Sequence, residues 1–134
     1  MDPPPVQYAK TADGVSIAFT VTGHGPPLVI PPPGNSHVQL EWVREAQGGT
    51  YSALADRATV IRYDHRGTGM SQRDRIDCSM EAAVADINGV VDKIGVERFA
   101  IFANLPGASL IPFAYAAHYP ERVSHLALYV SPMA

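Results

Sequence analysis

Residues 59–71 read TVIRYDHRGTGMS and join a predicted strand to a glycine-rich turn. The β-branched and aromatic run Thr59–Tyr63 is typical of a strand. In the turn Asp64–Ser71, Gly67 and Gly69 can adopt backbone angles that other residues disfavour, and the several donors of Arg66 can hold the turn closed. This stretch therefore predicts a strand followed by a fixed turn.

Further strands and helices are predicted on both sides of this stretch. Asp13-Gly14 joins two extended segments and indicates a hairpin. Apolar residues recur every three or four positions after Ser79, which predicts an amphipathic helix with Ser79 as N-cap and Gly95 as its stop. The predicted strands are Gln7–Lys10, Val15–Thr22, Leu28–Ile30, Thr59–Tyr63, Phe99–Ala103 and Val123–Val130, and the predicted helices are Tyr51–Asp56, Ser79–Ile94 and Gly107–His118.

This order of elements predicts an α/β fold. Two antiparallel strands come first, and strands then alternate with helices. That order favours a mostly parallel sheet of about six strands, with an N-terminal antiparallel hairpin and helices on both faces. The sequence shows no repeat, charge block or linker, so we expect residues 1–134 to form one domain with a proline-rich extension at residues 1–6.

The composition argues against several classes of function. The 134 residues carry 10 Lys+Arg against 13 Asp+Glu, a formal net charge of -3, which argues against a nucleic-acid-binding surface. A single cysteine, Cys78, excludes an internal disulfide framework and a Cys-based zinc site, and the spacing of the histidines supports no other metal site. No apolar run approaches the roughly 18 residues that span a bilayer, and the N-terminus lacks the features of a signal peptide. We expect a cytoplasmic protein with no cofactor and with neither nucleic acid nor membrane as a partner.

The chain resembles the N-terminal half of an α/β-hydrolase. The order and spacing of the matching segments are more specific than any one motif. The resemblance implies that the turn Asp64–Ser71 shapes the floor of an active site; the alternative is that this turn only fixes the chain after its strand. It also places His65, at a position that varies in the family, on the surface. The matching segments span nearly the whole chain and are Tyr8–Phe19, Gly25–Val29, Val60–Ser71, Ile94–Phe102 and Tyr119–Val123.

In the family that the chain resembles, the nucleophile lies on a sharp turn after the fifth strand, in a G-x-S-x-G pattern. Counting forward from Val96 places Leu105 at this position, whereas counting back from Tyr119 places Pro106 there. The two counts differ by one residue, and neither side chain has a hydroxyl, thiol or carboxylate that could attack a carbonyl. The nearest hydroxyl is Ser109, a weak substitute nucleophile whose alternative role is to pack a helix against the sheet.

The oxyanion hole of this family takes one N–H from the residue after the nucleophile and one from the loop after the third strand. If Leu105 holds the nucleophile position, the next residue is Pro106, which has no N–H. In the other count the next residue is Gly107, which keeps one. The second donor is expected near Gly34 and Asn35, in a loop that resembles that of the family.

The resemblance also implies that the acid and the histidine of the triad follow strands beyond residue 134, so we expect this chain to have no turnover of its own. The leading interpretation is a catalytically inactive hydrolase-like domain. A second is a binding module whose crevice, between the loop after Ile30 and the turn at Leu105, holds a small apolar molecule. A third is an ester or amide hydrolase completed by another chain.

The last predicted strand, Val123–Val130, is expected to be the outermost strand of the sheet. It contains neither lysine nor proline, the residues that commonly protect an edge strand from pairing with another chain. We therefore expect self-association through this edge, unless a partner supplies further strands.

Overall fold

The computed structural model describes residues 4–32, 36–45, 49–105 and 110–130. Six strands and four helices are described, together with a short 3-10 turn before the last strand. The strands are β1 Gln7–Lys10, β2 Ser16–Gly23, β3 Pro27–Ile30, β4 Thr59–Tyr63, β5 Phe99–Leu105 and β6 Val123–Val130, and the helices are α1 Val38–Glu45, α2 Thr50–Ala55, α3 Met80–Ile94 and α4 Ile111–His118.

The six strands form one sheet in the order β1-β2-β4-β3-β5-β6. The pairs β1–β2 and β2–β4 are antiparallel, whereas β4, β3, β5 and β6 run parallel to one another. The predicted α/β fold, with a mostly parallel sheet of six strands after an antiparallel hairpin, is confirmed. Because the four parallel strands point the same way, their carboxyl ends meet at one edge of the sheet.

Helices cover both faces of the sheet. On one face, α3 and α4 enclose the main apolar core, which includes Phe19, Ile61, Phe99 and Ile101 at 0–1% exposure. Successive side chains of a strand point to opposite faces, so Arg62 points away from this core. Helices α1 and α2 lie on the face toward which Arg62 points, so helices cover both faces of the sheet.

The local signals for α3 are confirmed. The hydroxyl of Ser79 accepts a hydrogen bond from the backbone N–H of Ala82 at 3.1 Å, which satisfies one of the free donors at the helix start. At the other end Gly95 adopts φ 87°, the left-handed conformation that terminates many helices. These contacts fix the two ends of α3, which packs against β1 and β2.

Two helix predictions need correction. The sequence pattern predicts no helix at Val38–Glu45, where the structure forms α1. Its two buried apolar residues, Val38 and Trp42, lie four positions apart, and one such pair is too short a pattern to reveal a helical period. The helix predicted over Gly107–His118 begins at Ile111 in the structure, and residues 106–109 lie outside the described part of the chain.

Candidate functional site

The candidate site lies where the parallel strands β4, β3 and β5 end side by side. Leu28 of β3 pairs with Val60 of β4 on one side and with Ala100 of β5 on the other. In open α/β sheets, ligands bind beyond the carboxyl ends of such strands. The chain leaves β3 through Pro31 and Pro32, both of which are buried.

The carboxylate of Asp64 joins the two loops at this edge. Its Oδ1 accepts a hydrogen bond from the hydroxyl of Ser36 at 2.6 Å, and its Oδ2 accepts from the backbone N–H groups of Val38 at 3.2 Å and Met70 at 2.9 Å. The residue is fully buried, so these contacts replace the water that the carboxylate gives up. Asp64 therefore fixes the start of α1 relative to the turn that follows β4.

Gly69 is required for this arrangement. Its φ is 54°, and a Cβ at this position would lie 2.2 Å from Oδ2 of Asp64 and 2.6 Å from the carbonyl oxygen of Ser36. No side chain fits in that space without displacing the buried carboxylate. The second glycine of the turn, Gly67, has φ 81°, which is likewise in the region that favours glycine.

Ser71 fastens the end of the same turn to the antiparallel part of the sheet. Its hydroxyl donates to the carbonyl of Asp64 at 2.7 Å and accepts from the backbone N–H of Ala18 at 2.8 Å. The backbone N–H of the next residue, Gln72, donates to the carbonyl of Ser16 at 2.9 Å. The whole turn Asp64–Ser71 is thereby attached to β2 as well as to β4.

Arg66 lies between two carboxylates from distant parts of the chain. Its Nε donates to Oδ1 of Asp86 on α3 at 2.9 Å, and its Nη1 donates to Oδ2 of Asp13 in the β1–β2 turn at 2.6 Å. These hydrogen bonds hold the pKa of Asp13 well below its usual range and raise the pKa of Arg66. Burial raises the pKa of Asp86, against the opposing effect of Arg66.

Sequence reasoning did not identify Asp13 and Asp86 as partners of Arg66. Asp13 was visible only as a turn residue. Asp86 carried a detectable signal, because it lies in the buried row Ala82, Asp86 and Val90 of α3, where successive members are four residues apart. A carboxylate in a buried row of a helix requires a partner, but the sequence does not indicate which cationic side chain is that partner.

The predicted surface position of His65 is wrong. The side chain is 15% exposed, and its Nδ1 lies 4.0 Å from Oδ2 of Asp86. The ring of Tyr63 meets it edge to face, with the two centroids 5.5 Å apart and the planes at 89°. The turn after β4 folds back over α3, and this covers a side chain that its polarity alone would place in water.

A second ion pair lies on the opposite face of the sheet. Arg62 is paired with Glu41 of α1, and its guanidinium lies 3.9 Å from the ring centroid of Tyr51 on α2. Burial lowers the pKa of Arg62 to about 10. One cation of β4 thus contacts both helices on this face and holds them against the strand.

The elbow predicted for the nucleophile is only partly described. Leu105 is the last residue of β5, Ala103 is buried and Asn104 is exposed at the end of the strand. The remaining residues of the predicted elbow and oxyanion hole are outside the described ranges. These are Pro106, Gly107 and Ser109 after β5, and Gly34 and Asn35 after β3.

A groove of about 630 Å³ lies away from this edge, between the end of β1, the outer side of α3 and the end of α4. No residue of β3 or β5 lines it, so it is not the crevice predicted from the sequence. Within the described ranges, no three His, Cys, Asp or Glu side chains lie close enough together to hold a metal ion. The helices described here are all too short or too polar to cross a bilayer.

Comparisons with known proteins agree with this architecture. A model of the alpha/beta hydrolase fold family matches residues 26–134. An uncharacterized protein of Mycobacterium tuberculosis is 31% identical over 127 residues, which are 94% of this chain and 35% of that protein. An alpha/beta hydrolase structure from Sphaerobacter thermophilus is 30% identical with a TM-score of 0.71, covering 91% of this chain and 44% of the other.

A hydrolase structure from Pseudomonas aeruginosa is 25% identical with a TM-score of 0.77, covering 95% of this chain and 46% of the other. The chain therefore spans about a third of the length of the M. tuberculosis protein and less than half of the two solved chains.

Proposed function

This chain belongs to the alpha/beta hydrolase family, and we propose that it is a ligand-binding domain of that family without acyl transfer at its own elbow. The observation that carries this proposal is the residue at the end of β5. The strand runs into Leu105-Pro106, where the family pattern requires a nucleophile. An apolar side chain at this position forms no covalent intermediate.

The pairing of β5 with β6 supports Leu105 as the elbow residue. The register is regular from Ala100 to Leu105, and the single shift places an additional residue, Ser124, in β6. β5 therefore has no bulge between Ala100 and Leu105, which favours the count forward from Val96. In this count the residue after the nucleophile position is Pro106, so the backbone donor of the oxyanion hole is missing as well.

The edge of the sheet suits a small apolar ligand. Pro31 and Pro32 follow β3 and are buried, and Leu105 ends the neighbouring strand. Because proline has no backbone N–H, it leaves no unsatisfied donor next to an apolar ligand. Ligand sites are commonly apolar with few polar groups, which fits the apolar residue types at the ends of β3 and β5.

We expect the purified chain to hydrolyse p-nitrophenyl butyrate no faster than the same chain with Leu105→Ala, because Leu105 takes no part in any chemistry. A serine-reactive phosphonate should leave the protein mass unchanged. Leu105→Ser alone should not create turnover, because Pro106 still supplies no oxyanion N–H. Release of p-nitrophenol above the rate in buffer, lost on Ser109→Ala, would contradict this expectation and assign the reaction to Ser109.

Binding of an apolar probe is expected at the ends of β3 and β5. In a titration with 1-octanol followed by amide NMR, the largest shift changes should come from Ile30, Ser36 and Asn104. Leu105→Asp should weaken this binding at least about tenfold, because a carboxylate would have to lose water against an apolar guest. The matched control is Leu110→Asp, at an exposed leucine directly before α4. Shift changes confined to Asn88, in the groove beside α3, would place the ligand elsewhere and overturn the proposed site.

A further inference from the structure

One hydroxyl at the proposed crevice has its proton engaged by a buried carboxylate. Ser36 lies after the loop that leaves β3, and its hydroxyl donates to Oδ1 of Asp64 at 2.6 Å. Asp64 is 0% exposed, whereas Ser36 is only partly buried. The hydrogen bond therefore joins a partly accessible residue to a carboxylate that water does not reach.

The partners of Asp64 fix the direction of this hydrogen bond. A carboxylate only accepts, and the backbone N–H groups of Val38 and Met70 donate to its other oxygen at 3.2 and 2.9 Å. A serine hydroxyl has one proton and two lone pairs. Because that proton is given to Asp64, the oxygen of Ser36 can meet a ligand only as an acceptor.

Several donors near Ser36 are missing or already used. Pro31 and Pro32 have no backbone N–H. The backbone N–H groups of Leu40 and Glu41 donate to Nδ1 and to the carbonyl oxygen of His37, at 3.1 and 2.9 Å. A ligand group that meets Ser36 therefore has to supply the donor itself.

Asn104 on the other side of the proposed crevice does not select between donors and acceptors. It is exposed at the end of β5, and its side-chain amide contains an NH2 group as well as a carbonyl. Such an amide suits an alcohol and an ester alike. Among the described residues at the ends of β3 and β5, selection between these two classes of ligand therefore depends on Ser36.

We infer that the crevice takes an apolar molecule with one hydrogen-bond donor, an alcohol, in preference to an ether, an ester or a carboxylate of the same size. Ser36 is then a specificity-determining residue that accepts the proton of the ligand, and Asp64 is a positioning residue that keeps the proton of Ser36 turned away. This inference rests on the proposed function and names the class of ligand for the same site.

The physical reason is the mismatch that an acceptor-only ligand creates. An ether or ester oxygen would lie against the oxygen of Ser36, and both would lose water without gaining a partner. A carboxylate would add repulsion from the buried charge of Asp64. An alcohol replaces the lost water by donating to Ser36, so it avoids this penalty.

Two isomers of equal size test the inference. 1-Octanol donates a hydrogen bond, whereas methyl heptyl ether only accepts. Dissociation constants for both isomers are measured by amide NMR, and the value for the ether is divided by the value for the alcohol. This ratio should be about threefold to tenfold higher in wild type than in Ser36→Ala, the range for one hydrogen bond. A purely structural effect of the alanine would weaken both isomers alike and leave the ratio unchanged.

Asp64→Asn should remove the preference although it keeps Ser36. The backbone N–H groups of Val38 and Met70 require an acceptor, so the amide oxygen should face them and the NH2 group should donate to Ser36. The proton of Ser36 then turns to the ligand and serves both isomers. The ratio should fall to about the Ser36→Ala value, and this variant covers the case in which the alanine loosens the loop.

Ser124→Ala is the matched control, because this partly buried serine lies near the start of β6, at the opposite end of the parallel strands. It should keep the wild-type ratio. If both isomers shift Ile30 and Asn104 but the ratio is the same in wild type, Ser36→Ala and Asp64→Asn, the inference is overturned and the proposed binding site stands. If neither isomer shifts these residues in wild type, the proposed function fails and the inference fails with it.

Discussion

Arg66→Met will lower the free energy of unfolding by about 3–5 kcal/mol, the range for removing one partner of a buried ion pair. The guanidinium side chain is 3% exposed and the Asp86 carboxylate 1%, so the variant leaves a negative charge in the core without its partner. The backbone N–H of residue 66, which donates to Oδ2 of Asp86 at 3.1 Å, cannot replace the lost charge. Urea denaturation measures the change.

Arg75→Met is the matched control for this variant. The guanidinium of Arg75 lies 4.0 Å from Asp13, which also pairs with Arg66, but the Arg75 side chain is 49% exposed. Its loss should therefore lower the free energy of unfolding by about 1 kcal/mol or less. The double variant Arg66→Met/Asp86→Leu should recover part of the loss, because it removes the unpaired carboxylate. Equal effects of Arg66→Met and Arg75→Met on the free energy of unfolding would contradict this prediction. They would show that the buried Arg66–Asp86 pair stabilises the fold no more than the exposed Arg75–Asp13 pair does.

The 134-residue chain is expected to self-associate through β6. This strand lies at the end of the described sheet and pairs along its length with β5 only. It carries no charged residue, and Leu128 and Tyr129 are 43% and 54% exposed. An uncharged edge strand of this length offers its free backbone groups to a second copy. Sedimentation velocity should show dimers or larger species at micromolar concentration.

Leu128→Lys should shift this population to monomer, because a charge on the edge opposes pairing with another chain. Leu126 is a poor site for the same change, since it packs against the apolar core and a lysine there would disturb the fold. Tyr8→Lys is the matched control on β1, the four-residue strand at the opposite edge. A wild-type monomer, or equal dissociation by Tyr8→Lys and Leu128→Lys, would exclude β6 as the contact.

The fold was predictable because its signals are local. The strand Thr59–Tyr63 and the cap residues Ser79 and Gly95 each follow from side-chain shape and backbone preference within a few positions. Helix α1 was missed because one buried apolar pair does not define a period. The candidate site was less predictable, since the burial of His65 depends on α3, which is about twenty residues away along the chain.

The sequence by itself determined the chemistry available at the predicted elbow and in the turn after β4. Leu105 and Pro106 carry no nucleophile in any conformation, and the glycines of the turn after β4 are recognisable without coordinates. Only the tertiary structure decided which groups meet. Arg66 pairs with Asp13 across 53 positions and with Asp86 across 20, because the β1–β2 turn and α3 both lie next to the turn that follows β4. Charge pairing depends on distance in space, which a local sequence pattern does not contain.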